Sequence, residues 1–113
     1  MSNEYKRLLS ARTLTGTTIQ PEAEAWDGGG HCTLEVQCDI FSPGATGGFI
    51  ALQHSATNEV GSFRDLPNVN WALDTAGGHL TVSHFLRYIR FVTTGTINGG
   101  PVVQLDIIGK SCG

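Results

Sequence analysis

The stretch Leu80 to Gly109, LTVSHFLRYIRFVTTGTINGGPVVQLDIIG, decides the fold. Two runs rich in β-branched and aromatic residues flank Thr94-Gly95-Thr96-Ile97-Asn98-Gly99-Gly100-Pro101, a cluster of strong turn formers. The pattern predicts a strand, a loop and a second strand. Alternation along the first strand puts Arg87, Ile89 and Phe91 on one face and Tyr88, Arg90 and Val92 on the other. Each face mixes polar and apolar side chains, so the strand is expected to be covered on both sides, by the core and by a neighbouring subunit. Arginine and tyrosine suit such contacts because they combine area with directional hydrogen bonds. The plainer alternative is an arginine stem lying along the sheet toward Asp106 or Asp65.

Working outward, Cys32 to Ile40 gives the cleanest strand. Cys32, Leu34, Val36, Cys38 and Ile40 share one face, and Thr33, Glu35, Gln37 and Asp39 share the other. That period of two is what a sheet with one buried face requires. Phe49 to His54, Phe63 to Leu66 (stopped by Pro67), Asn68 to Ala72, Leu80 to His84, Arg87 to Thr93 and Val102 to Ile108 read as further strands. Toward the N-terminus, Thr13 to Gln20 and Glu22 to Trp26 read as strands, and residues 1–12 as an arm preceding a single domain over 13–113. Turn signals stand at Asp27-Gly28-Gly29-Gly30, Ser42 to Gly48 and Asp74 to Gly78. The expectation is all-β: an antiparallel β-sandwich or jelly roll of seven to eight short strands with an N-terminal arm.

Composition bounds the function. Charged residues make up only 15% of the chain, against roughly 25% in ordinary soluble domains. The net charge of -3 and five dispersed arginines exclude a general nucleic-acid binder, which needs a basic surface to displace counterions. No apolar run reaches membrane-spanning length, and no secretory leader is recognised at the N-terminus, so no membrane partner is expected. Cys32 and Cys38, six residues apart on one strand, would be about 20 Å apart, beyond disulfide reach. Cys112 is able in principle to pair with one of them. The expected state is three reduced cysteines in a reducing compartment, two of them buried.

Little here points to chemistry. His31, His54, His79 and His84, with Cys32, Cys38 and Cys112, show no metal-ligand spacing, so neither a metal nor another cofactor is expected. No nucleophile elbow occurs, and the glycines at 28–30 fit no phosphate loop. A thiol hydrolase would need an exposed cysteine beside a base, and a small hydrolase of either kind a perturbed cysteine or glutamate in a cleft. Trp26 and Trp71 have two readings: core or interface positions, or sugar-stacking platforms in a groove. No enzymatic activity is expected, and the contact residues singled out are Arg87, Tyr88, Arg90, Trp26 and Trp71.

Ile50-Ala51-Leu52-Gln53-His54-Ser55, then Phe63-Arg64-Asp65-Leu66, then Leu73-Asp74-Thr75-Ala76-Gly77, then Leu86-Arg87-Tyr88-Ile89-Arg90 resembles small proteins of tailed-bacteriophage heads over residues 34–109. His54-Ser55-Ala56-Thr57 departs from that pattern, which has an acidic pair after the serine. The resemblance implies a virion structural protein that decorates or cements the head lattice, found in the virion after assembly in the host cytoplasm. Its implied partners are the major capsid protein or other virion proteins, and copies of itself, with a trimer favoured by capsid symmetry. The alternative reading is a carbohydrate-binding jelly-roll module of a tail fibre or spike.

Overall fold

The alternation over Cys32–Ile40 is realised as the middle of a sheet. The computed structural model describes residues 3–14, 25–41, 47–95, 97 and 99–112. Its strands are β1 (Glu4–Thr13), β2 (Trp26–Asp27), β3 (His31–Ile40), β4 (Phe49–Ser55), β5 (Arg64–Ala72), β6 (Gly77–Val82), β7 (Tyr88–Thr94) and β8 (Val102–Ser111). One sheet has the order β1-β8-β3-β6 and the other β2-β7-β4-β5. Every pairing is antiparallel. This is the jelly roll: successive strands alternate between sheets except for β4 and β5, which pair as neighbours in the second, and long-range pairing closes the fold.

The core is the sum of the inward rows. Leu34, Val36, Cys38 and Ile40 of β3, with Val103, Leu105 and Ile107 of β8, face Ile50 and Leu52 of β4 and Ile89 and Phe91 of β7. Trp26 reaches across from the second sheet to the first at Gly109, where a Cβ would stand 2.7 Å from the indole and 2.8 Å from the His31 ring. Only glycine lets the sheets close over that ring.

Several boundaries differ from the sequence expectation, each for a physical reason. Glu4–Thr13, inside the segment read as an arm, pairs with β8 as an edge strand. Irregular register between Arg7 and Leu9 turns two consecutive leucines, Leu8 and Leu9, into the core, which breaks the period of two. The expected strand Thr13–Gln20 meets β1 only at Thr13; its residues from 15 onward, and 22–24 of the expected Glu22–Trp26, lie outside the described residues. β5 runs through Pro67 because it is a sheet edge, where a missing N–H costs no ladder bond. Ala51 pairs with Asn70 and Gln53 with Asp65, so four residues of β5 (66–69) stand opposite Leu52 alone on β4, with Asn68 at φ 64° within the excess.

Cysteine pairing is a correction. Cys32 and Cys112 form a disulfide, with Cα atoms 5.0 Å apart, and Cys38 alone is free and buried. His31 pairs with Ser111 and Thr33 with Lys110, leaving Cys32 as the extra residue of a bulge. The bulge turns Cys32 out of the apolar row to which strict alternation assigned it, beside the end of the neighbouring strand.

Candidate assembly surface

Strand β7 keeps the predicted alternation: Ile89 and Phe91 are buried, while Tyr88 and Arg90 lie on the outer side, half-buried. Arg87 falls one residue before the strand and is exposed. Its guanidinium grips Asp27 of β2 at both nitrogens, Nε to Oδ1 at 2.9 Å and Nη2 to Oδ2 at 2.8 Å, and lies 5.1 Å from the Tyr88 ring centroid. The Arg87 hydrogen bonds, then the Gly29 N–H, hold the Asp27 carboxyl down at about 2. Neither Asp106 nor Asp65 is the partner of Arg87; Asp106 instead takes Arg7, Nε to Oδ1 at 2.8 Å.

Arg90 anchors a second cross-strand feature. Its Nε donates to Gln53 Oε1 at 2.9 Å, and Gln53 Nε2 donates to Asp65 Oδ1 at 3.0 Å. Gln53 is the register partner of both Arg90 and Asp65, so the three form one row across β7, β4 and β5. The Phe63 ring lies 4.2 Å from the Arg90 guanidinium carbon and fixes its plane. The structure thus gathers Arg87, Tyr88 and Arg90 on one region of the second sheet, with the two guanidinium groups held by Asp27 and Gln53.

The tryptophans do not join them. Trp26 is 5% and Trp71 8% exposed, both within the core cluster. Trp26 Nε1 donates to Glu4 Oε2 at 3.1 Å, and its ring stacks on His31 at 5.5 Å between centroids. Neither indole offers a face to a partner or a sugar, so the contact role and the groove expected on them are not found there. Burial pushes the Cys38 thiol up to about 12, so it carries no thiolate at neutral pH. Glu35 is half-buried on the outer face of its sheet and its carboxyl is lowered, chiefly by the Thr81 hydroxyl, the opposite of what a general acid in a cleft requires. Among the described residues no cluster of three metal-ligating side chains occurs, and no helix is long and apolar enough to cross a membrane.

One site residue was not singled out by its sequence. His54 Nδ1 accepts the Leu86 backbone N–H at 3.0 Å, tying the 83–87 loop, where Leu86 is exposed, to β4. Burial lowers the His54 pKa, and a proton on Nδ1 would remove the acceptor. The unfolded chain therefore takes up protons more readily near pH 6.5, so this stabilisation is complete above that value and is lost as pH falls below it. Denaturant midpoints measured from pH 7.5 to 5 are expected to drop for the native protein and to drop less for His54→Asn, whose amide oxygen accepts without titrating. Parallel pH profiles would show that His54 contributes nothing.

No protein-family model matches the chain, and no curated protein matches it. Solved structures do. The SPBc2 prophage-derived protein YomS superposes with a TM-score of 0.59 at 9% identity, over 96% of this chain and 94% of that one. A structure of the Bacillus endospore appendages, described as a family of disulfide-linked pili, superposes with a TM-score of 0.56 at 10% identity, over 99% and 88%. At such identity the likeness is one of fold. This chain shares its two-sheet architecture with a prophage-derived protein and a pilus-forming one.

Proposed function

We propose that this protein is a non-enzymatic structural subunit of a phage particle, a head decoration or cement protein that binds across capsid subunits. The observation that carries the reading is the ordered Arg87–Tyr88–Arg90 region. Side chains already held by Asp27, Gln53 and Phe63 lose little rotamer freedom on docking, which favours a repeated lattice contact. The edge strands β1 and β5 border the two sheets and supply rims for neighbouring copies. A disulfide between Cys32 and Cys112 suits a particle that persists outside the reducing cytosol. Support also comes from the shared fold: one neighbour is prophage-derived and another belongs to pili, both compatible with assembly.

The test is co-sedimentation with purified phage heads, preceded by sedimentation velocity of the protein alone. An Arg87→Ala, Arg90→Ala variant with native circular dichroism is expected to lose head binding by at least about tenfold. A protein that stays monomeric and ignores the heads would sink the reading, and equal binding by the variant would move the contact elsewhere.

A further inference from the structure

The outer face of the β1-β8-β3-β6 sheet carries side chains that the assembly reading does not use. Register sets them in two rows that cross all four strands. The first is Tyr5, Ile108, Glu35 and Thr81; the second is Arg7, Asp106, Gln37 and His79. Between the rows lies a shallow depression of about 250 Å³.

Tyr5 is 57% exposed, yet its position is fixed, because the hydroxyl donates to Asp106 Oδ1 at 2.7 Å. Asp106 stands two residues along β8 from Ile108, the register partner of Tyr5. The ring must therefore lie along the sheet rather than stand away from it, with one face toward solvent beside Ile108, itself 40% exposed. Asp106 is held in turn by Arg7 Nε at 2.8 Å and Gln104 Nε2 at 3.1 Å. Glu35 takes the Thr81 hydroxyl at 2.8 Å and faces Lys110 Nζ at 3.5 Å. Gln37 Nε2 is occupied by Asp39 at 3.0 Å, which leaves its Oε1 as the acceptor, and the His79 ring stands beside Gln37 in register, close enough to Glu35 to act on its charge.

The charges of the two rows cancel in pairs, Arg7 with Asp106 and Glu35 with the adjacent Lys110, and Asp39 beside Gln37 adds one carboxylate. A phosphate or a nucleic acid would find no positive field to attract it. An uncharged ring with an apolar face and a rim of hydroxyls fits all three features: a flat aromatic surface, spare donors and acceptors around it, and balanced charge. We propose that this face binds a neutral pyranose carbohydrate, with one sugar ring on Tyr5 and Ile108 and its hydroxyls meeting Gln37, His79 and Glu35. The site stands apart from Trp26 and Trp71, and it does not depend on the assembly role.

The probes are cellotetraose, maltotetraose and chitotetraose, each titrated to about 10 mM into the isotope-labelled full chain, a range that captures millimolar binding. The expected result is saturable amide shifts at residues 5–7, 35–37, 79 and 106–108 with at least one of the three. Tyr5→Ala should weaken that binding up to about tenfold, while Tyr5→Phe, which keeps the ring, retains most of it. Gln37→Ala, which leaves the stacking platform intact, should weaken it less and serves as a folding-neutral second variant. Absence of shifts with all three sugars overturns the proposal. So does concentration-dependent broadening of these same amides that Tyr5→Ala abolishes, which would assign the face to a second copy of this chain.

Discussion

Removing the Cys32–Cys112 disulfide should lower the folding free energy by about 4.5 kcal/mol at 25 °C, the chain-entropy value for closing a loop of this length. The bond spans 80 residues of sequence, so its principal effect is to restrict the unfolded ensemble rather than to add contacts to the folded one. For a chain of 113 residues that free energy corresponds to a fall in Tm of roughly 15–20 °C. Thermal unfolding of a Cys32→Ala, Cys112→Ala variant, compared with the native protein with and without reductant, measures it. The variant and the reduced protein should coincide. A native Tm insensitive to reductant would show that the pairing contributes nothing in solution.

Gly77→Ala is expected to destabilise the folded state by about 3 kcal/mol or more. Gly77 opens β6 with φ +91°, a conformation L side chains rarely adopt, and a Cβ there would collide with the carbonyl oxygen of Cys38 on the paired strand. The obstacle is backbone, held in place by the central sheet, so no rotamer change relieves it. Gly61→Ala separates the two costs. Gly61 has φ +80° but nothing within 4 Å of its ideal Cβ, so that variant bears only the backbone strain, about 1 kcal/mol. Equal urea midpoints for the two alanine variants would remove the collision from the account.

The parts of the fold that were legible in the sequence are those where one period governs one element. Leu34, Val36 and Cys38 on β3, Ile50 and Leu52 on β4, and Ile89 and Phe91 on β7 all point where alternation sends them. What escaped is bulged. Leu8-Leu9 reads as a charged arm's pair of leucines, and only the irregular pairing of β1 with β8 makes both of them core. Cys32 obeys the same logic: one extra residue in β3 moves it from the apolar row to the surface, and its partner arrives from 80 positions away. Pro67 divided in sequence what is a single edge strand in space.

The candidate surface was legible in part for the same reason. Arg90 and Tyr88 were placed by alternation, whereas Asp27 as the partner of Arg87 depends on β2 pairing with β7, a contact no local pattern announces. Trp26 stands between a core or interface position and a sugar platform in the sequence, and only Gly109, clearing space for it in the other sheet, decides for the core. Tyr5 was overlooked because its setting comes from β8, about 100 positions along the chain, and from β3, about 30 positions along, rather than from its charged neighbours.

The bulge that carries Cys32 also decides how the molecule bears load. Tension applied to the chain at Cys112 reaches the start of β3 directly through the sulfur bridge, as well as running back along β8. β3 lies inside its sheet, flanked by β8 and β6, so the pull is shared by two neighbouring strands at once. Without the bridge the same pull would begin by peeling the end of β8 from its neighbours, rung by rung. A domain stapled in this way resists being frayed from that end, because its last strand and an inner strand have to yield together.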